Sequence, residues 1–125
     1  MGIRNGRLSV CPASPNCVSS DAADGAHAVA PLQLIVAPPD GWRAVRTVLD
    51  SMPRTKIVSS TDDYLHAECS SAVFGFVDDL ELHLRPGENL IAVRSAARLG
   101  YSDFGVNRKR VESLRALLKG QGAIR

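Results

Sequence analysis

The sequence predicts an α+β domain, in which an antiparallel meander sheet of about four to five strands carries two helices on one face. Apolar and polar residues alternate strictly from Asp79 to Arg85, which is the period of a strand with one buried face. Around residues 42–52 and 106–118 the apolar residues instead recur at spacings of three and four, as on one face of a helix. Between these helices four strand-like segments follow one another directly, which favours an antiparallel sheet.

The 125 residues suit a single domain, because this is a common chain length for one hydrophobic core. Residues 1–31 are rich in Pro, Ser, Ala, Gly and Asp and have no sustained period. We therefore expect an extended segment that wraps the domain. The domain itself is expected to cover residues 32–120, and residues 121–125 are expected to be a frayed tail.

The first strand and first helix are predicted on either side of two prolines. Residues 32–37 form a short apolar run that suits a strand, and Pro38 ends it. Asp40 is the expected N-cap of the helix, and Pro53 stops it. The apolar residues expected on one face of this helix are Trp42, Val45, Val48, Leu49 and Met52.

Two strands, residues 56–61 and 64–69, are predicted to form a hairpin whose turn is Asp62 and Asp63. This register places Ser59 opposite His66 on the face away from the core. The residues that it places together on the core face are Val58, Ser60, Leu65, Ala67 and Cys69.

A turn is predicted at residues 86–89. It joins a third strand, from about Phe74 to Arg85, to a fourth strand over residues 90–97. A four-residue loop pairs Arg85 with Leu90, and Glu81 with Arg94 on the polar face. The same register pairs Leu84 with Ile91 and Leu82 with Val93 on the core face. Because Asp78 shares the parity of Leu80, it is expected to face inward and to need a partner, either Arg98 or the backbone of the following loop.

The chain ends in a loop and a closing helix. Tyr101 to Phe104 follow Gly100 as a loop, and Gly120 ends the helix. The apolar stripe of this helix is Val106, Val111, Leu114, Leu117 and Leu118.

Composition and charge exclude several classes of partner and location. A net charge of +2 lacks the basic excess of a nucleic-acid binder, and residues 108–110 are expected to be a solvated basic face. The longest uncharged apolar stretch, residues 28–37, is too short to cross a bilayer. Residues 1–10 lack the pattern of a secretory signal, so the chain as written is expected to be cytoplasmic.

Three parts of the sequence together resemble the domain-of-unknown-function 1499 family. The residues that carry the resemblance are Cys11, Pro12, Ser14, Pro15, Asn16, Cys17, Val18, Ser19 and Ser20, then Phe76, Val77, Asp78, Asp79 and Glu81, and then much of the stretch VRSAARLGYSDFGVNRKR from Val93 to Arg110. The resemblance spans nearly the whole chain. It implies a small bacterial or plastid-type domain with no assigned activity or cofactor.

The cysteine and histidine pattern is open to more than one reading. Cys11 and Cys17 could be a redox pair or half of a metal site, but their spacing is not that of thioredoxin-like or zinc-ribbon motifs. We favour a structural disulfide or two packed thiols. His27, His66 and His83 are not joined by any ligand spacing, so we expect surface histidines and predict neither a metal nor a cofactor.

A set of polar residues from the third strand onward is the main candidate site. Its members are Asp78, Asp79, Glu81, Arg94, Arg98, Tyr101, Asp103, Asn107, Arg108 and Arg110. Forked guanidinium groups could bind a carboxylate or phosphate, and a carboxylate could act as an acid or base. The same groups could satisfy one another as a structural network, and we favour this reading.

Three hypotheses about function follow. The first is a non-enzymatic binding or accessory domain, whose Arg-rich loop from Arg94 to Arg110 recognises a small anionic molecule or a protein partner. The second is a thiol-dependent redox protein or enzyme that uses Cys11 and Cys17. The third is a purely structural subunit of a larger assembly. No catalytic constellation is recognisable, so we predict no catalytic residues and favour the first.

Overall fold

The structure, a computed structural model, describes residues 1–72 and 74–125 and confirms the α+β class. Its elements in chain order are β1 (Ile3–Arg4), β2 (Arg7–Leu8), β3 (Cys17–Ser19), β4 (Leu32–Gln33), α1 (Pro38–Ser51), β5 (Thr55–Ser60), β6 (Tyr64–Ser70), β7 (Val77–Arg85), a 3-10 turn (Pro86–Glu88), β8 (Leu90–Ala97) and α2 (Val106–Gly120).

The main sheet is antiparallel, with the strand order β3-β8-β7-β6-β5, and β4 also pairs with β8. The register predicted for the third and fourth strands is confirmed, since Arg85 lies opposite Leu90 and Glu81 opposite Arg94. Strands β1 and β2 form a separate hairpin. Residues 1–31 therefore do more than wrap the domain, because they also supply the edge strand β3.

Both helices pack on one face of the sheet, here called the inner face. The side chains on this face include Leu65, Leu82 and Val93, which are fully buried. Helix α1 covers them with Trp42, Val45, Val48 and Leu49, and α2 with Val111, Leu114 and Leu118. Within the described residues, neither helix is long and apolar enough to cross a membrane.

The opposite, outer face carries the polar residues that alternate with the core. Residues 1–10, here called the strap, lie over this face and contact it through Glu81 and Arg94. His66 and His83, which also lie on this face, are buried, so the expectation of surface histidines is wrong for these two. The period of a strand places them on a polar face, but it does not say whether another segment covers that face.

Helix α1 begins earlier than predicted. Its first residue is Pro38 and its N-cap is Ala37, so the assignment of Asp40 as the N-cap is wrong. Proline is favoured at the first helical position, where its fixed φ suits the helix and its missing N–H would have no intrahelical partner. Asp40 lies in the first turn and pairs with Arg43 at 2.9 Å.

A bulge in β5 changes the predicted hairpin register. Ile57 lies opposite Ala67 and Ser59 lies opposite His66, so Val58 is an extra residue without a partner. The prediction that Val58 faces the core is therefore wrong, and its side chain is half exposed. Bulges insert one residue in this way and turn its side chain out of the regular pattern. The pairing of Ser59 with His66 and the burial of Cys69 are confirmed.

Three further local features differ from expectation: the start of β7, the exposure of one residue of α2, and the order of the C-terminal residues. Strand β7 begins at Val77 rather than near Phe74, so Phe74 and Phe76 lie before the strand. Leu117, predicted on the apolar stripe of α2, is half exposed. Residues 121–125 are not frayed: Ile124 is buried and forms a bridge with Leu34. An apolar tail end that meets an unpaired strand end gains burial and hydrogen bonds, which hold it in place.

Candidate functional site

The ten candidate site residues do not form one cluster, because the sheet separates them. Those on the outer face are Asp79, Glu81, Arg94 and Arg98, and we call them, with Tyr64, His66 and Glu68, the outer cluster. Those on the helix side are Asp78, Asp103, Asn107 and Arg110, and we call them, with Asn16 and Ser95, the loop cluster. Tyr101 and Arg108 belong to neither cluster.

Glu81 is the centre of the outer cluster and is fully buried. Its Oε1 accepts hydrogen bonds from the Tyr64 hydroxyl at 2.6 Å and the Gly2 backbone N–H at 2.8 Å. Its Oε2 lies 3.3 Å from Nη1 of Arg94. Arg94 in turn donates from Nε to the Ser9 carbonyl at 2.9 Å. Burial and the Glu81 carboxylate raise the pKa of Tyr64, so this hydroxyl stays a donor.

Asp79 forms the second half of the outer cluster. Two guanidinium nitrogens of Arg98 donate to its carboxylate at 2.9 and 2.8 Å. The Nε2 atom of His66 lies 2.7 Å from Oδ1. Burial alone would raise the pKa of Asp79, but the bonds from Arg98 and His66 outweigh it and leave the pKa lowered. Arg98 also contacts Glu68 at 2.5 Å. Each carboxylate of the cluster therefore contacts an arginine within it.

A further ion pair, which we call the latch, lies beside the outer cluster and joins Asp21 to Arg85. Two guanidinium nitrogens of Arg85 donate to the two Asp21 oxygens at 2.8 and 2.6 Å. The backbone N–H of Leu8 donates to the same carboxylate at 2.9 Å, so the latch also holds the strap. This pair was not predicted from the sequence. The parity of β7 places Arg85 on the outer face, but no local pattern marks Asp21.

On the helix side, Asp78 faces inward as its parity predicted, but its partner is different. Arg110 Nη1 lies 2.8 Å from Oδ2 of Asp78, so the assignment of Arg98 as that partner is wrong. Arg98 extends from the opposite face, where it binds Asp79. The one-residue step from Asp78 to Asp79 reverses the direction of the side chain, and each carboxylate meets the arginine on its own side.

Asn107 connects the loop cluster and is fully buried. Its Oδ1 accepts from the Ser95 hydroxyl at 2.6 Å and from Arg110 at 2.8 Å. Its Nδ2 donates to the Asn16 carbonyl at 3.3 Å and to Asp103 at 2.8 Å. This one side chain therefore links the first turn of α2 to β8 and to the N-terminal segment.

The loop of residues 98–105 is held at two points. Asn16 Nδ2 donates to the Gly100 carbonyl at 2.6 Å. The Asp103 carboxylate accepts the backbone N–H groups of Gly105 and Asn107 at 2.9 and 3.0 Å, which fixes the start of α2. Burial would raise the pKa of Asp103, but these bonds from Asn107 and Gly105 lower it overall. Asn16 was absent from the predicted site, and only its place in the family resemblance pointed to it.

The cysteines offer little thiol chemistry in this state. Cys11 and Cys17 form a disulfide, and Cys17 is fully buried. Cys69 is a free thiol in the core, where burial raises its pKa. Across residues 1–72 and 74–125, no group of three or more His, Cys, Asp and Glu side chains could hold a metal ion.

The arginines of the predicted loop are all engaged within the protein. Arg94, Arg98 and Arg110 pair with carboxylates. Arg108 donates to the carbonyls of Ala28 and Ala26 at 2.9 and 3.1 Å. In the part of the chain that the structure describes, every buried side-chain nitrogen or oxygen has a hydrogen-bond partner. The polar clusters therefore present no unsatisfied buried group to a ligand.

A different surface lies at the end of the sheet where β7 begins and β8 ends. Its members, here called the aromatic end, are Phe74, Phe76, Leu99, Tyr101 and Phe104. The Arg98 N–H donates to the Val77 carbonyl at 3.1 Å, which brings the two loops side by side. Phe104 is 90% exposed, Leu99 78% and Phe74 77%. These large apolar side chains are mostly exposed among the described residues.

The chain matches a family model over most of its length. A family model described as a protein of unknown function (DUF1499) matches residues 7–118. No curated protein matches the chain. The matched region contains the disulfide, both polar clusters and the aromatic end, whereas residues 1–6 of the strap lie before it.

Proposed function

The chain belongs to the DUF1499 family of proteins of unknown function, and we propose that its domain is a non-enzymatic binding or accessory module that contacts a protein partner through the aromatic end. The observation that carries this proposal is the exposure of five large apolar side chains on two neighbouring loops. Exposed apolar groups gathered in one place mark interaction surfaces, and aromatic residues supply much of the binding energy at protein interfaces.

The hydrogen bonds that hold the supporting loop favour the same function. Leu99, Tyr101 and Phe104 lie on the loop that Asn16 and Asp103 hold at its two ends. A loop that is already ordered loses less conformational entropy when it binds. The loop cluster therefore serves recognition indirectly, by fixing the backbone that presents the aromatic side chains.

Recognition of a small anion by the Arg-rich loop receives less support. An anion would have to compete with Glu81, Asp79 and Asp78 for the arginines that already pair with them. Breaking the buried pair of Glu81 and Arg94 leaves an uncompensated charge, which costs about 3–5 kcal/mol. The protein-partner form of the hypothesis requires no such rearrangement.

The other two hypotheses differ in what they require. A thiol-dependent enzyme needs an accessible sulfur with a lowered pKa, whereas Cys17 is fully buried in a disulfide and burial raises the pKa of Cys69. A purely structural subunit would use the same aromatic end, but in a permanent assembly.

Site-specific photocrosslinking in the native cells tests the proposal. A photoreactive phenylalanine analogue replaces Tyr101 in one variant and Val58, which is exposed on β5, in the matched control. We expect discrete crosslinked products from position 101 alone, and we expect Phe104→Ser to remove them without changing the circular dichroism spectrum. Identical products from positions 101 and 58, or no product from position 101, would contradict a docking role for this end.

A further inference from the structure

The strap is attached to the outer face almost entirely by polar contacts. Its Gly2 N–H donates to Glu81, its Ser9 carbonyl accepts from Arg94, and its Leu8 N–H donates to Asp21. In each of these three contacts the strap contributes a backbone group, and the exposed Arg7 side chain adds a longer contact to Asp21 at 3.7 Å. Leu8 is its one buried apolar side chain. A segment held in this way depends on the charge state of the groups beneath it.

His83 lies next to the latch and is hydrogen-bonded to Arg85. The Arg85 Nε–H donates to Nδ1 of His83 at 3.1 Å. Because an arginine nitrogen can only donate, this contact requires Nδ1 to be the unprotonated nitrogen of a neutral ring. The ring proton is then on Nε2, which lies 3.8 Å from the Asp63 carboxylate. The next proton must therefore bind at the atom that accepts from Arg85.

Charged and titratable groups face His83 from each element around it. They are Glu81 and Arg85 on its own strand, Tyr64 opposite it on β6, Asp63 in the turn before β6, Asp21 in the N-terminal segment and Glu88 in the 3-10 turn. On the other side its neighbour on β8 is the uncharged Ala92. The group in direct hydrogen-bond contact with Nδ1 is the Arg85 guanidinium.

We propose that the strap is an acid-released cover over the outer cluster and that protonation of His83 opens it. A proton from solvent on Nδ1 removes the acceptor of Arg85 Nε–H and places two cations side by side. Arg85 then has to move, and its two bonds to Asp21 weaken. Asp21 loses the partner that orients it toward the Leu8 N–H, so the strap separates from Glu81 and Arg94.

The electrostatics of the site agree with this order of events. Burial and the neighbouring Arg85 lower the pKa of His83 below its ordinary value of 6.5, so the ring is neutral in the closed state at neutral pH. Because the pKa is lowered in the folded protein, the stability that neutral His83 contributes is complete above about pH 6.5 and is lost as pH falls through the folded pKa. Asp21 has a lowered pKa of its own, because the bonds from Arg85 and Leu8 outweigh the effect of burial. It stays ionised while His83 titrates.

Opening would uncover a charged face that the strap now occupies. Glu81 would lose one of its three hydrogen-bond donors, and Arg94 would lose the Ser9 carbonyl. Both side chains lie within the part of the chain matched by the family, whereas Gly2 lies before it. This face is separate from the aromatic end, so the cover can operate whether or not that end binds a protein.

Amide hydrogen exchange of Leu8, measured by NMR at about pH 7.5 and about pH 5, tests the proposal. In the wild type we expect the Leu8 protection factor, corrected for intrinsic exchange, to fall on the order of tenfold at the lower pH. In His83→Asn the side-chain oxygen can accept from Arg85 but does not titrate, so we expect protection to be retained. His66→Gln removes the other buried histidine of this face, makes no change at the latch and should behave as the wild type.

Two results would overturn the proposal: unchanged Leu8 protection in the wild type at the lower pH, or an equal loss in His83→Asn. If His83→Asn does not fold, the wild type alone still decides. The imidazole signals of His83 are then titrated by NMR, and the midpoint must coincide with the midpoint of the Leu8 protection loss. A clear separation of these midpoints would exclude His83 as the controlling group.

Discussion

The two faces of the sheet are both covered, but they are covered by different kinds of interaction. On the inner face, side chains such as Leu82 and Val93 pack against two helices. On the outer face, Glu81 and Arg94 are held under the strap by hydrogen bonds and charge. Apolar burial is non-directional, whereas each buried charge needs a particular partner at a particular distance.

This difference affects how easily each face can be opened. Over a wide range of conditions, opening the inner face costs free energy in proportion to the apolar area that becomes exposed. The outer face depends on protonation states and on a few donors, among them Gly2 and Tyr64. We therefore expect the inner face to determine global stability and the outer face to determine local opening.

The largest effect is expected from a cavity on the inner face. Leu82→Ala removes a fully buried side chain between the sheet and the helices. Because the surroundings cannot fully collapse into the space, the free energy of unfolding should fall by about 4 kcal/mol. Urea unfolding followed by circular dichroism measures the change. A loss below about 1 kcal/mol would mean that the inner face is not tightly packed.

A somewhat smaller effect is expected from removing the central charge of the outer face. Glu81→Ala leaves Arg94 without its carboxylate and the Tyr64 hydroxyl without its acceptor. The free energy of unfolding should fall by about 3 kcal/mol. The matched control is Glu112→Ala, which removes a half-exposed carboxylate and leaves Arg115 bonded to the Pro31 and Ala30 carbonyls, so stability should change by less than about 0.5 kcal/mol. Equal effects of the two substitutions would mean that burial of the Glu81 pair has no energetic consequence.

Loss of the disulfide should have a smaller effect that is concentrated near the strap. Cys11 and Cys17 are six positions apart, so the bridge closes a short loop and restricts the unfolded chain only modestly. Replacing both by serine should cost about 2 kcal/mol. Unfolding of the oxidised and reduced wild type, compared with Cys11→Ser/Cys17→Ser, provides the measurement. A reduced wild type as stable as the oxidised protein would contradict it.

The smallest effect is an acid dependence carried by Asp79. The pKa of Asp79 is lowered in the folded protein. Its contribution to the free energy of unfolding is therefore complete above its ordinary pKa of 3.8 and is lost as pH falls through the folded pKa. Asp79→Asn should therefore flatten the fall in stability between about pH 5 and pH 2.5, and it should also lower stability at neutral pH. Urea midpoints across this range test the prediction, and parallel curves for the two proteins would refute it.

Much of the fold was predictable, but little of the polar network was. Strict alternation and the four-residue turn were enough to place Glu81 opposite Arg94. The bulge at Val58 was not predictable, because an inserted residue leaves the same composition as a regular strand. For the candidate site, the residue types pointed to a charged set. Their division between two faces required the pairing of every strand.

The sequence by itself determined the α+β class, the two helix faces and the parity of the residues in β6, β7 and β8, because these depend on periods that repeat over a few neighbouring positions. Apart from the pair of Glu81 and Arg94, only the tertiary structure decided which charges meet. Asp78 binds Arg110, Asp79 binds Arg98, and Asp21 reaches Arg85 across 64 positions. These contacts join residues that are distant in the chain, and no local sequence pattern indicates which two will pair. The folded backbone alone brings them within hydrogen-bond distance.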